Sequence, residues 1–286
     1  MKLVALVLLL SAFSSMTLTE VVENINEWKS KCHDFFIPNP KDQNDVITPT
    51  VFNTHKKICQ SWKNKYRFAT LYDTERKIPV YSAYTFAQEV ETKRKNFWKY
   101  EPQLENISDQ KDMKNFPRNR TTNLIHQATN SDYTNSGYTR GHVFPRFYAA
   151  DQEQADSTFT LTNIAPQKEQ SNTEWERQVE RPMQKEIINS CKPDQKRKAY
   201  IVTGVVPGNN WTPTEKQNKK DKKKINIPSH FWSAFSCRDI NENLISAAYI
   251  AEQDKFERKK MSVMELNNNL TNLYKINFYV FGELNF

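Results

Sequence analysis

Between residues 140 and 180 the chain carries Arg140, His142, Asn163, Asn172 and Glu180, in that order. Singly, none of them is informative. As a set they answer a chemical question. A histidine, with an ordinary pKa of about 6.5, can take a proton from water near neutral pH. An arginine grips a phosphate through two parallel hydrogen bonds. An asparagine supplies a hard oxygen donor, and Mg²⁺ keeps much of its own water, so it needs few protein ligands. Such a cation neutralises charge building on phosphate and leaving oxygens. The three functions together are what hydrolysis of a phosphodiester by water requires.

The spacing adds a geometric expectation. Asn172, Glu176 and Glu180 lie four residues apart, so on a helix they follow each other at offsets of about 40° and share a face. A carboxylate one or two turns beyond Asn172 can orient water held by a metal, and Glu180 is the candidate. Glu176 reads equally well as an ordinary solvated charge. Ser171 with Glu174 has the form of a capping box and predicts a helix start there. Trp175, Val179 and Met183 recur every four residues and form its expected buried stripe. Pro182 should kink that helix or end its first segment.

The elements that must hold these residues are partly legible. Phe68–Tyr72 and Ile78–Tyr84 read as two strands around a polar turn. Residues 159–164 form a short strand-like run, followed by a loop over APQKEQ. Residues 199–206, AYIVTGVV, are apolar, β-branched and bounded by Pro207-Gly208, as in a buried strand. Phe231–Phe235 and Leu244–Ala251 are further strands, residues 260–273 a helix, and Phe278–Phe281 a closing strand. Residues 104–136 are polar and irregular. Strands and helices mix without strict alternation, which indicates an α+β fold. The chain has 286 residues, five glycines and no linker-like stretch. The expectation is a single domain over residues 16–286.

Residues 1–15 have the charged start, apolar run and small residues of a secretory signal. The apolar run is too short to cross a bilayer, and no later stretch is apolar enough. The four cysteines, Cys32, Cys59, Cys191 and Cys237, contain no CxxC pair. They allow three disulfide pairings, of which sequence locality favours Cys32–Cys59 with Cys191–Cys237. Asn-x-Ser/Thr acceptor patterns occur at Asn106, Asn119, Asn210 and Asn269. All of this points to a secreted, extracellular protein. The net charge of +8 suits a polyanionic partner. The densest basic run, 216–224, is as compatible with a solvated loop as with a binding patch.

The ordered set also resembles a family, the DNA/RNA non-specific endonucleases with a ββα-metal (His-Me) finger. Thr139-Arg140-Gly141-His142, Thr162-Asn163-Ile164-Ala165-Pro166-Gln167, Asn172, Trp175 and Glu180 carry the likeness. It extends from about Cys32 to the C-terminus. Within the family, Arg67–Tyr84, Ser157–Pro166 and Cys32/Cys59 are similar to the endonuclease domain-containing 1 group. The resemblance implies a mixed, largely antiparallel central sheet flanked by helices. It implies His142 as general base and Asn172 as the main protein ligand of Mg²⁺ (or Mn²⁺ or Ca²⁺). Arg140 would contact phosphate, Asn163 and Gln167 would support the site, and Glu180 would hold water on the metal. An upstream basic residue, Arg94 or Lys95, would join Arg140 in binding DNA or RNA. Thr139 departs from the family's aspartate and predicts weaker metal affinity or a lower rate.

His33, His55, His126 and His230 have no partner at triad or metal-ligand spacing. No G-x-S-x-G elbow, P-loop or dinucleotide fingerprint occurs. The competing reading is a catalytically weak or inactive secreted protein that binds nucleic acid or another polyanion on the same scaffold. Thr139 favours it, and the retained His142 and Asn172 oppose it.

Overall fold

The computed structural model describes residues 20–117, 124–194, 198–213 and 224–284. The residues read as a secretory signal, Asn119 and the basic run up to residue 223 lie outside them. The elements that build and flank the site are, in chain order, β1 (Val21–Val22), α1 (Ile25–Lys31), β2 (Lys56–Trp62), β3 (Lys65–Asp73), β4 (Ile78–Phe86), β5 (Thr139–His142), α2 (Gln152–Ser157), β6 (Ile164–Gln167), α3 (Glu169–Trp175), α4 (Arg181–Cys191), β7 (Ala199–Trp211), β8 (Asn226–Arg238), β9 (Leu244–Glu252), β10 (Arg258–Met261) and α5 (Val263–Tyr274). A π turn, Glu176–Glu180, joins α3 to α4.

Eight strands form one sheet in the order β1-β2-β3-β4-β7-β8-β9-β10, and every neighbouring pair is antiparallel. The expected α+β architecture with a largely antiparallel central sheet is what the chain adopts. Successive side chains of a strand point to opposite faces. On β8, Phe231 and Phe235 enter one core and Trp232 and Ala234 the other. Both faces are therefore covered, which is why 199–206 reads as an unbroken apolar run. The first core takes Trp175, Val179, Met183 and Ile187 from the α3–α4 segment, so the expected stripe is buried. The second takes Trp28 from α1 and Leu266 and Leu270 from α5.

Disulfides join Cys32 to Cys59 and Cys191 to Cys237. They tie the end of α1 to β2 and the end of α4 to β8. Closing loops of 27 and 46 residues constrains the unfolded chain by roughly 4 kcal/mol each in the loop-entropy view. Among the described residues no helix is long and apolar enough to cross a membrane.

Three of four local expectations need correction, and the fourth, at Pro182, takes a particular form. The run 159–164 is not a strand: Leu161–Asn163 makes a 3₁₀ turn, and the strand is Ile164–Gln167, where a loop was expected. The backbone bends because the Asn163 N–H returns to Thr160 O at 3.1 Å. The helix starts at Glu169 rather than at Ser171, with Lys168 as an N-cap that offers no side-chain bond. Ser171 instead faces inward and accepts from Gln167 Nε2 at 3.5 Å. The interruption expected at Pro182 takes the form of the π turn just before it. Proline lacks an N–H and crowds the carbonyl four residues back. The wide turn, in which Arg181 N–H reaches Glu176 O, makes room. Farther on, the stretch expected to be helical from residue 260 opens with β10, and α5 begins at Val263 behind a capping box of Ser262 with Glu265.

Candidate active site

Strands β5 and β6 form a separate two-stranded hairpin that leads into α3, a ββα unit. Its register pairs His142 with Ile164, Gly141 with Ala165, Arg140 with Pro166 and Thr139 with Gln167. Arg140 and His142 share one side of β5, and Thr139 and Gly141 share the other. Gly141 is a glycine for a steric reason. A Cβ there would collide with Gln167 Oε1 and fall 2.9 Å from the Gln167 Cβ.

His142 stands among aromatic rings. Phe159 meets it edge-on at 4.9 Å between ring centroids, and Trp98 lies at 5.8 Å. The residue is half-buried as a whole, yet its Nε2 has neither solvent nor a hydrogen-bond partner. Burial pushes the imidazole pKa down to about 3, helped by the charges of Arg94 and Arg146. The ring is therefore neutral at physiological pH, with a basic nitrogen held ready and unengaged.

Arg140 is fixed from three directions. Its guanidinium lies 5.0 Å from the Trp98 ring and 5.3 Å from the Tyr133 ring. Nη2 donates to Asn130 O and Oδ1, both at 3.3 Å. Its Nε is buried without an acceptor. Arg94 and Lys95, equivalent in sequence, separate in space. Arg94 is exposed, sits 5.8 Å from the Phe159 ring and acts electrostatically on His142. Lys95 is held by Asp156 at 3.0 Å.

Asn163 and Gln167 are braces. Asn163 is fully buried. Its Oδ1 accepts from Ser82 Oγ and Phe144 N–H, and its Nδ2 donates to Phe144 O and Thr158 O. That saturated amide has no free hydrogen-bonding group, as suits a side chain that supports the site. Gln167 is also buried, against Gly141, and its Oε1 has no hydrogen-bond partner.

The other end of β5 holds Asn172. Thr139 Oγ1 donates to Gln167 O at 2.9 Å, which uses its only proton. The same oxygen accepts from Asn172 Nδ2 at 3.2 Å. The amide is thereby oriented, and Asn172 Oδ1 accepts no hydrogen bond among the described residues. Glu180 is 8% exposed, and burial followed by the charge of Glu176 raises its carboxyl to about 8. Tyr148 Oη donates to its backbone oxygen at 2.7 Å. Glu176 does not share that environment. It is exposed and paired with Arg181 at 2.9 Å.

The sequence pattern overlooked Trp98, Phe159, Arg146 and Arg181. Arg146 follows His142 by four residues, and its Nη1 donates to Thr92 O and Oγ1, both at 2.7 Å. That position falls between motif segments, so only its charge could have signalled it. No group of three or more His, Cys, Asp or Glu able to hold a metal occurs among the described residues. A centre built on an asparagine oxygen needs no such group, since Mg²⁺ retains much of its water.

A sequence profile described as DNA/RNA non-specific endonuclease matches residues 48–280. The human endonuclease domain-containing 1 protein is 31% identical over 189 residues, which cover 65% of this chain and 35% of that protein. The mouse protein is 29% identical over a similar span. The chain thus spans about a third of the length of these curated relatives. Human mitochondrial endonuclease G is 40% identical over 53 residues, 18% of each chain. A crystal structure of an EndoG/EndoGI complex superposes with a TM-score of 0.51 at 16% identity, covering 79% of this chain and 86% of that one, a likeness of fold.

Proposed function

The chain belongs to the DNA/RNA non-specific endonuclease family, and from that premise we propose that it is a secreted, metal-dependent endonuclease. It hydrolyses phosphodiester bonds of DNA, and of RNA, with little sequence preference. The observation that carries this reading is the buried, neutral and unpartnered Nε2 of His142. A buried polar atom without a partner is costly unless it serves a ligand or a reaction.

In this mechanism His142 Nε2 accepts the proton of the attacking water. Arg140, already aimed by Trp98, Tyr133 and Asn130, holds the phosphate through its free N–H groups. Asn172 Oδ1 would hold the divalent cation, Mg²⁺ with Mn²⁺ or Ca²⁺ as alternatives, and Glu180 would take hydrogen bonds from the cation's water. The cation supplies neutralisation of charge on the phosphate and leaving oxygens. Phosphate contacts carry no base information, which accounts for low sequence preference. Two disulfides support an oxidising compartment, and Asn106, Asn210 and Asn269 are exposed where glycans would attach.

The test uses plasmid DNA and RNA with Mg²⁺ or with EDTA, comparing the full chain with His142→Ala. Cutting that needs Mg²⁺ and His142 is the expected result. Binding without cutting would replace this reading by the secreted polyanion-binding protein, which Thr139 in place of the family's aspartate favours.

A further inference from the structure

Charge around His142 is one-sided. Arg94 lies over Phe159, the ring that meets His142 edge-on. Arg146 is anchored through Nη1 to Thr92, two residues before Arg94, so it is tied to the stretch that carries Arg94. The next residue, Phe147, carries the guanidinium of Arg181 at 4.1 Å from its ring centroid. Arg94 and Arg146 are thus placed beside the candidate base, and Arg181 beside Arg146, by two aromatic rings and a backbone anchor. One exposed carboxylate, Glu176, pairs with Arg181. Burial, then the like charges of Arg94 and Arg181, lower the pKa of Arg146, and the charge of Glu176 opposes them. Each of these arginines keeps N–H donors beyond those its protein partners use. Holding like charges together is unfavourable without a counter-charge, and planar forks of this kind fit phosphate oxygens.

We propose that Arg146 and Arg181 extend the nucleic-acid contact expected of Arg94 into a phosphate subsite for the strand, beside His142 and distinct from the grip of Arg140. The inference rests on the nuclease reading of the same site. It extends that reading from the phosphate under attack to a neighbouring phosphate of the strand. Arg146 is the centre of the subsite, because its anchor on Thr92 leaves the rest of its fork preorganised. Arg181 extends it along α4. Both act on binding, and neither touches the reacting atoms.

The salt dependence of binding reads this directly. Removing one phosphate-binding charge lowers the slope of log Kd against log salt by about 0.9 for duplex DNA, and weakens binding roughly tenfold at 0.1 M salt. Binding of the full chain to a short fluorescent duplex is followed in EDTA, where no metal-dependent cleavage intervenes. Arg146→Gln and Arg181→Gln are each expected to lower the slope by about one. Arg177→Gln is the control: like Arg181, Arg177 is an exposed arginine of the same helical segment paired with a glutamate, but it is not among the charges that act on Arg146 or His142. It should leave the slope nearly unchanged. Equal slopes for wild type and Arg181→Gln, or an equal drop in Arg177→Gln, would overturn the subsite. Because Arg181 is half exposed, its variant remains informative if Arg146→Gln fails to fold. A chain that loses slope as expected yet never cuts with Mg²⁺ would refute the nuclease reading and leave the subsite standing. One that cuts with unmoved slopes would do the reverse.

Discussion

His142 and His55 lie in different parts of the molecule and are surrounded in opposite ways. His55 packs against Phe52, and its Nε2 contacts Asp73 Oδ2 at 3.2 Å, while its Nδ1 lies 3.0 Å from Thr54 Oγ1. Asp73 also takes Arg76 Nη1 at 3.0 Å and the N–H groups of Glu75 and Arg76. Both ring nitrogens of His55 and both carboxylate oxygens of Asp73 have partners, and the cluster closes the turn between β3 and β4. His142 has aromatic rings, arginines and an empty Nε2. A balanced cluster stabilises a fold, whereas an unbalanced one stores the capacity to bind and react.

The contrast breaks most sharply on activity. His142→Ala should lower DNA cleavage by about 10²- to 10⁴-fold, the usual contribution of a general base. Its melting temperature should hardly move, since no hydrogen bond at Nε2 is removed. A large fall in stability with cleavage retained would reverse the roles assigned to the two regions.

Asp73→Asn is the mirror experiment. The His55 and Arg76 contacts and nearby N–H groups hold the carboxyl down to about 2 against the burial that raises it. Asp73 is nearly inaccessible, and its loss should destabilise the chain by about 2 kcal/mol in denaturant titrations. Cleavage measured well below the melting temperature should survive.

Acid titration separates the two by pH window. The unfolded chain protonates His142 near pH 6.5, whereas the folded chain resists until about 3. Stability contributed by His142 is therefore lost as pH falls from 6.5 to 3, by up to about 1.4 kcal/mol per unit. Asp73 contributes stability above its unfolded pKa near 3.8, lost as pH falls through about 2. Glu180, raised to about 8, works in the opposite sense: its contribution declines as pH rises from 4.5 to 8. Subtracting the His142→Ala profile from that of wild type isolates the first window. A flat difference there would show that the imidazole is not held neutral.

The smallest effects lie at Thr139, where the acid-poor region can be altered in steps. Thr139→Val frees the Asn172 amide and should raise the Mg²⁺ needed for half-maximal cleavage about three- to tenfold, the worth of one hydrogen bond. Thr139→Ser should restore it. Thr139→Asp keeps an acceptor for Asn172 and adds the charge that His55 has and His142 lacks, so the Mg²⁺ requirement should fall. An unchanged requirement in both Val and Asp variants would remove Thr139 from the site.

Much of this was legible in the sequence. The strands within 67–84, 199–206, 231–235 and 244–251 were visible because both core faces demand apolar or β-branched residues. The hairpin strand Ile164–Gln167 was hidden, since it holds a proline and owes its extended form to pairing with Thr139–His142. Arg140, His142 and Asn172 announced themselves by type and order. Arg146 and Phe159 did not, because their value comes from what folds beside them. Lys95 and Arg94 could not be told apart until Asp156 claimed one of them.

The π turn at Glu176–Glu180 has a consequence of its own. It works as a vernier: one extra residue within the turn offsets everything after it by about 100°. The segment carrying Asn172 can then be set by β5, while Met183, Ile187 and Cys191 are set by the sheet. Removing a single residue there would force a choice between the two settings, leaving either the amide misdirected or the core misaligned. Length, more than composition, is what that stretch must preserve.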